Sequence, residues 1–315
     1  MSPIFSIITP LFNKAPYIKG TIDSVLSQTM GDWEFVVVNN GSTDHGQAIV
    51  EEYRDVRLKL IQCQRSGPAA ARNDGLKIAR GDYVVFLDAD DHLNKRYLES
   101  QLSVAQSTGA DLIASGWRER RRIEAGNFED IYHRPACEDN PALLKYVSVS
   151  SAPWAVQAVI IRRERALAQP WDESGPLVPA EDVVYWFRLL QSATIAFNPE
   201  TLSDYFSQLP GARNIDQDTE RWVEGCLLRL RQNIDFLNTT SEADGLHYEY
   251  LFRVAESLWL QAKAKNLTQC AGHLQAISEE FLSSYINKTK GPKAGLRLRM
   301  IVGLNGFQHC RRFIT

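Results

Sequence analysis

Between residues 4 and 91 the chain alternates short apolar runs with stretches whose apolar residues recur every three or four positions. Ile4-Phe5-Ser6-Ile7-Ile8-Thr9-Pro10 reads as a first strand, closed by a proline that cannot donate to a sheet ladder. Pro16 then opens a helix, with Ile18, Ile22, Val25 and Leu26 at helical spacing. Residues 35–38, Phe-Val-Val-Val, form a second predicted strand that ends in Asn39-Asn40-Gly41-Ser42-Thr43-Asp44. A helix through Ile49, Val50 and Tyr53 follows, then a strand over 58–61 and a helix over 68–79. Tyr83-Val84-Val85-Phe86-Leu87 has no polar interruption, as suits a strand buried on both faces of a parallel sheet. This alternation predicts right-handed β-α-β units.

Past a helix over 95–106 and a strand over 111–117 the pattern becomes less regular. Arg118, Arg120, Arg121 and Arg122 surround Glu119 in a strip expected to be a solvated hairpin or loop rather than an anion site. Residues 156–161 predict a strand, 181–191 a helix and 194–197 a short strand, and from 216 onward only helical spacing is visible. The expected organisation is therefore an α/β domain over 1–215 and a helical region over 216–315. The segment 288–315 carries Lys288, Lys290, Lys293, Arg297, Arg299, Arg311 and Arg312 without an acid, interleaved with apolar residues. It reads either as a packed C-terminal helix with its cations in water or as a peripheral contact with an anionic membrane face.

Composition narrows the class without defining the chemistry. The 315 residues, 44% hydrophobic and 23% charged, suit a soluble globular protein. A formal net charge of −3 offers no global attraction to nucleic acid. Five cysteines without a Cys-x-x-Cys pair suggest neither a disulfide framework nor a zinc knuckle, and fit a reducing, cytoplasmic compartment. The N-terminus enters a strand pattern without the features of a signal peptide, and no window approaches a transmembrane span of about 20 apolar residues.

Candidate chemistry begins at Asp88-Ala89-Asp90-Asp91, three carboxylates within four positions directly after an apolar strand. Ligands of open α/β sheets bind beyond the carboxyl ends of the strands. Clustered acids repel one another, and a hard divalent cation relieves them. A solvated acidic turn, with Asp91 or Asn94 capping the next helix, fits the spacing equally well. Three more polar clusters stand at the ends of other predicted units: Thr9-Pro10-Leu11-Phe12-Asn13, Asn39-Asn40-Gly41-Ser42 and Ala71-Arg72-Asn73. A parallel sheet gathers such clusters along one edge.

Together with Glu181-Asp182, Trp186 and Arg188-Leu189, these clusters resemble family 2 glycosyltransferases of the GT-A fold, across roughly the first two thirds of the chain. The resemblance implies a Rossmann-like, mostly parallel sheet flanked by helices, with a C-terminal helical appendage. It also implies inverting transfer of a sugar from a nucleotide diphosphate, with a UDP-sugar favoured. The acceptor would be a glycan or lipid-linked oligosaccharide in surface polysaccharide synthesis. On this resemblance Thr9, Pro10, Phe12, Asn13, Asn40, Arg72, Asp88 and Ala89 contact the donor. Asp90 binds Mg²⁺ or Mn²⁺ with help from Asp91, Asp182 is the general base, and Glu181, Trp186 and Trp154 face the acceptor. Outside that resemblance, Asp182 reads as a helix N-cap and the two tryptophans as core.

Two positions depart from the family pattern. Asn39-Asn40 replaces an acidic pair, one member of which usually accepts a hydrogen bond from the donor base, so the charge that strengthens this bond is absent. Phe12 stands where a tyrosine is common. A catalytically idle nucleotide-sugar binding module is thus one alternative. A sugar nucleotidyltransferase is disfavoured, because Pro10-Leu11-Phe12-Asn13 replaces the glycine-rich basic loop of that class. No Gly-x-Gly-x-x-Gly follows the first strand, which disfavours an NAD-linked dehydrogenase.

Overall fold

A computed structural model of the protein describes residues 2–124, 126–149, 151–174, 181–210, 219–240 and 244–288. They fall into two compact units. Of the described residues, the first comprises those of 2–144, 152–174 and 189–210, and the second those of 145–151 and 181–188 together with the C-terminal helices. The Glu181-Asp182 motif therefore belongs to the second unit.

In the first unit the predicted alternation is present as β1 (Phe5–Leu11), α1 (Ala15–Leu26), β2 (Trp33–Asn39), α2 (Gly46–Glu51), β3 (Leu58–Gln62), α3 (Pro68–Ile78) and β4 (Tyr83–Phe86). β1 runs parallel to both β2 and β4, with Phe5 opposite Trp33 on one side and Tyr83 on the other. β3 adds parallel to β2. Pro10 does not close β1, which continues to Leu11 with Pro10 opposite Val38. The Ile8 carbonyl accepts from Leu87 N, so even-numbered backbone groups of β1 face β4. The missing N–H of Pro10 thus falls past Ile8–Phe86, the last pair with β4, where no ladder bond is lost.

Beyond β4 come β5 (His92–Leu93), α4 (Tyr97–Thr108), β6 (Leu112–Glu124), β7 (Asn127–His133), α5 (Leu144–Val147), β8 (Val159–Arg162), α6 (Arg163–Ala168), α7 (Glu181–Leu189) and β9 (Ile195–Ser207). The described strands form one sheet in the order β3-β2-β1-β4-β8-β6-β9-β5, with β7 paired to β6. The parallel expectation holds from β3 to β4. Then β8 enters antiparallel to both β4 and β6, while β9 runs parallel to β6. Of the two expectations for the arginine strip, the hairpin holds and the loop does not: the strip lies inside β6, antiparallel to the next strand β7 on one side and parallel to β9 on the other. Phe5, Ile7, Ile18, Ile22, Phe35, Val37, Val85 and Tyr97 form the core on one side of the sheet.

Buried Glu34 on β2 ties this part of the sheet together. Its carboxylate accepts from Ser6 Oγ at 2.8 Å, Lys59 Nζ at 2.8 Å, Arg80 N at 2.6 Å and the Arg80 guanidinium at 3.0 and 3.1 Å. These bonds hold its carboxyl at about 2, well below the ordinary 4.5, against the upward push of burial.

The second unit contains α7, α8 (Thr219–Thr239), α9 (Gly245–Ala264) and α10 (Thr268–Lys288). Phe187 of α7 and Val149 pack among Leu230, Leu237, Leu251, Trp259 and Phe281. Asp244 caps α9, accepting from Leu246 N at 2.9 Å and His247 N at 3.3 Å. The basic segment after Lys288 lies outside the described residues. No described helix is long and apolar enough to cross a membrane.

Candidate functional site

The carboxyl edge of β1, β2 and β4 gathers the predicted clusters. Asn13, with φ +51°, turns the chain out of β1. Its Oδ1 accepts from Thr43 N at 2.8 Å and its backbone N donates to Ser42 Oγ at 3.2 Å. Asp44 closes the same turn, accepting from Ala15 N at 2.8 Å at the start of α1 and from Gly46 N at 3.0 Å. Asn13 and the Gly41–Asp44 turn are therefore one hydrogen-bonded unit, although about thirty residues separate them in the chain.

Each acid of the 88–91 run has a different environment. Asp88 Oδ1 accepts from Arg72 Nη2 at 2.7 Å. The buried Arg72 guanidinium lies 4.3 Å over the Trp171 ring, and Trp171 meets Phe86 edge-on at 5.2 Å. Asn73 fixes Trp171 by accepting from its backbone N and donating to its carbonyl, both at 2.9 Å. Asp90 pairs with Lys14, which precedes α1. Asp91 is only 1% exposed, and its Oδ1 accepts from Phe206 N at 2.8 Å. That bond excludes the helix-cap reading of Asp91, whereas Asn94 Oδ1 accepts from Arg96 N at 3.2 Å in the turn that opens α4. Burial, followed by the charges of Asp90 and Asp88, pushes the Asp91 carboxyl well up. Burial also raises Asp90, against the opposing pull of Lys14.

These acids fit a divalent cation in a specific way. Among the described residues no group of three or more His, Cys, Asp or Glu is arranged to hold a metal by itself. Asp91 Oδ2 is buried without a hydrogen-bond partner, and Asp90 is neutralised by an ammonium group. Three acids thus face two cations, Arg72 and Lys14, so the edge is one positive charge short and supplies few free ligands. That suits an ion of the Mg²⁺ type, which takes one or two carboxylates and completes its shell with substrate phosphates and water.

Several predicted donor contacts have internal roles here. Thr9 is fully buried inside β1, with no exposed surface for a ligand. Ala89 is buried, Pro10 is half-buried and Phe12 is exposed. Asn40 donates to Arg65 O at 2.6 Å and accepts from Gly67 N at 2.8 Å, so its amide bridges β2 to the loop entering α3. Asn39 is held by Gln47 at 2.7 Å, Gln62 at 3.0 Å and Ser42 N at 3.0 Å. The amides that replace the acidic pair serve as connectors. On the acceptor side, Trp154 in the first unit and Trp186 in the second are 2% and 0% exposed, which makes them core side chains rather than walls of an open groove. Glu181 and Asp182 are half-buried in the first turn of α7, so Asp182 lies inside the helix and not at its cap.

Three partners of the site were missed: Lys14, Trp171 and Phe206. Lys14 directly follows the Asn13 cluster, a cation beside a motif that was itself identified, and this was a usable signal. Trp171 and Phe206 lie in segments without a motif and reach the edge only through the fold.

Fold and site together define an α/β domain of GT-A type with an acid-rich carboxyl edge. Residues 6–146 match the family described as Glycosyl transferase family 2, and this part of the chain is a family 2 glycosyltransferase domain. The chain is similar to "Uncharacterized glycosyltransferase EpsJ" of Bacillus subtilis, 33% identical over 174 residues that cover 52% of this chain and 49% of that protein. It therefore spans about half the length of that relative. It is also similar to "UDP-Glc:alpha-D-GlcNAc-diphosphoundecaprenol beta-1,3-glucosyltransferase WfgD" of Escherichia coli, 29% identical over 201 residues, 61% of this chain and 72% of that one. In fold it is like S. aureus TarS 1-349 in complex with UDP-GlcNAc, with a TM-score of 0.66 at 22% identity, covering 89% of this chain and 81% of that one.

Proposed function

We propose that the protein is an inverting glycosyltransferase that moves a sugar from a nucleotide diphosphate, with a UDP-sugar favoured, to a hydroxyl of a glycan or lipid-linked acceptor in surface polysaccharide synthesis. The observation that carries this reading is the convergence of Asp88, Asp90, Arg72 and Lys14 at the carboxyl edge of β4, within a family 2 domain. The substrate classes follow those of the similar Escherichia coli glucosyltransferase WfgD, which uses UDP-Glc and a GlcNAc-diphosphoundecaprenol acceptor.

Asp90, assisted by Asp88 and Asp91, would hold Mg²⁺ or Mn²⁺, and the bound ion would stabilise the negative charge left on the diphosphate. Arg72, clamped by Asp88 and Trp171, orients the acid cluster and presents a fixed cation to the donor. Lys14 releases Asp90 as the donor arrives and turns its ammonium toward a phosphate oxygen. Asp182 takes the proton of the acceptor hydroxyl while that oxygen bonds to the anomeric carbon. The bond from that carbon to the diphosphate breaks at the same time, and its electron pair leaves with the diphosphate.

Calorimetric titration with UDP, GDP, CDP and dTDP, with and without Mn²⁺, tests the donor part. One nucleotide is expected to bind in a metal-dependent manner, and Asp90→Asn is expected to abolish the dependence. Absence of binding by all four, with or without metal, would refute the donor reading. Asp182→Asn should keep nucleotide binding and lose transfer. An idle binding module would instead show no transfer in the unmodified protein.

A further inference from the structure

Beyond Ser115, β6 leaves its regular register with β9, and the shifts centre on Gly116. A Cβ there would lie 3.0 Å from the His133 carbonyl and 3.1 Å from Thr201 Oγ1, so the three strands approach as closely as they do because position 116 is glycine. Irregularities of this kind re-aim the side chains that follow. Past it, Trp117 and Glu119 of β6 share a face with Ser203, Tyr205 and Ser207 of β9 and with His133 of β7.

The contacts on this face converge on one carboxylate. His133 stacks on Trp117, with ring centroids 5.1 Å apart and planes 11° from parallel, and its Nε2 lies 3.1 Å from Glu119. Ser207 Oγ donates to Glu119 at 2.8 Å, and Arg121 Nε lies 3.1 Å away. These bonds hold Glu119 in its charged form, below its ordinary range despite burial. The opposite face has a different character. There Arg118 is paired with Asp204 and Asp130, and Arg120 lies over Phe128 and Phe206.

The face adjoins the acid edge. Phe206 N bonds Asp91, and the neighbouring Tyr205 phenol is pushed up by burial and then by the charges of Asp91, Asp88, Asp90 and Glu119. Tyr205 nonetheless remains 40% exposed. An aromatic surface beside an ionised carboxylate suits a pyranose, whose C–H face packs on a ring while its hydroxyls donate to the acid. The ionised Glu119 carboxylate, the acid of this face, disfavours an anionic ligand in contact with it. We propose that Trp117, Glu119, His133 and Tyr205 form a subsite for an uncharged pyranose ring of the acceptor. This assignment deepens the proposed function and rests on it.

Saturation-transfer NMR tests it, using methyl glucoside, methyl N-acetylglucosaminide and methyl glucuronide with UDP and diamagnetic Mg²⁺ present, alongside UDP calorimetry on each variant. A neutral glycoside should bind. Its signal should fall about fivefold or more in Trp117→Ala, which removes the stacking surface, and in Glu119→Gln, which removes the charge from the accepting group, while UDP affinity stays unchanged. Tyr205→Phe and Glu119→Gln are close in shape to the native residues and keep the test valid if Trp117→Ala unfolds. Binding of the glucuronide equal to that of the neutral sugars, a neutral-sugar signal indifferent to these substitutions, or no glycoside signal in protein that binds UDP would each overturn the subsite. Glycoside binding that depends on Glu119 in protein that fails to bind UDP would uphold the subsite and overturn the donor reading. Failure of both probes would overturn both.

Discussion

Glu34→Gln removes one charge from the node that joins β1, β2, β3 and the turn before β4, with almost no change in shape. Lowering a carboxyl from 4.5 to about 2 corresponds to about 3 kcal/mol of stability at neutral pH. The side chains of Lys59 and Arg80 are 38% and 58% exposed, so solvent screening reduces the expected loss to about 2 kcal/mol. Because the folded-state value is depressed, the contribution is complete above the ordinary 4.5 and is lost as pH falls through about 2. Urea unfolding followed by circular dichroism should show Glu34→Gln less stable than wild type at pH 7, with an unchanged denaturant slope. At pH 3 roughly half of that difference should remain, and the two proteins should converge toward pH 2. A gap of equal size at pH 7 and pH 3 would show that packing, not charge, makes the contribution, and would refute the reasoning.

Gly81→Ala places a Cβ 2.5 Å from Ser6 N and 2.6 Å from Phe5 C, and this β1 backbone cannot yield. A loss of about 2–3 kcal/mol is expected in the same unfolding assay, and a change below about 0.5 kcal/mol would count against that contact. Lys14→Met should tighten Mn²⁺ binding without nucleotide by about fivefold, since the ammonium no longer competes for Asp90 and such a pair contributes about 1 kcal/mol. Electron paramagnetic resonance of free Mn²⁺ reads this directly, and unchanged or weaker binding would show that Lys14 and the ion do not compete.

The order of strands and helices from Phe5 to Phe86 was legible because each element carries its own period and its own end signal. Pro16 and Pro68 open α1 and α3, and the unbroken apolar runs are the buried parallel strands. The outer half of β6 was not legible. Its arginines look solvated in isolation, yet Asp130 of β7 and Asp204 of β9 pair Arg118 and so make a charged strand tenable. β9 likewise extends well past the predicted 194–197, because its second half is matched to β6 residue by residue through Arg121 opposite Ser207.

At the site, the sequence by itself determined which groups stand at the carboxyl edge: Asn13, the turn from Gly41 to Asp44, Arg72 and the acids of 88–91. It did so because the end of a strand is a local property, and a parallel sheet brings such ends together. The tertiary structure alone decided what each group does there. Asp88 is held by Arg72, Asp90 by Lys14, and Asp91 is turned inward onto the backbone of Phe206, 115 residues away. It also placed Trp154 and Trp186 in the interior and aligned Trp117, Glu119, His133 and Tyr205 on one face. Periodicity acts between neighbours in the chain, whereas hydrogen bonds, ion pairs and burial depend on distance through space, and the complete fold sets that distance.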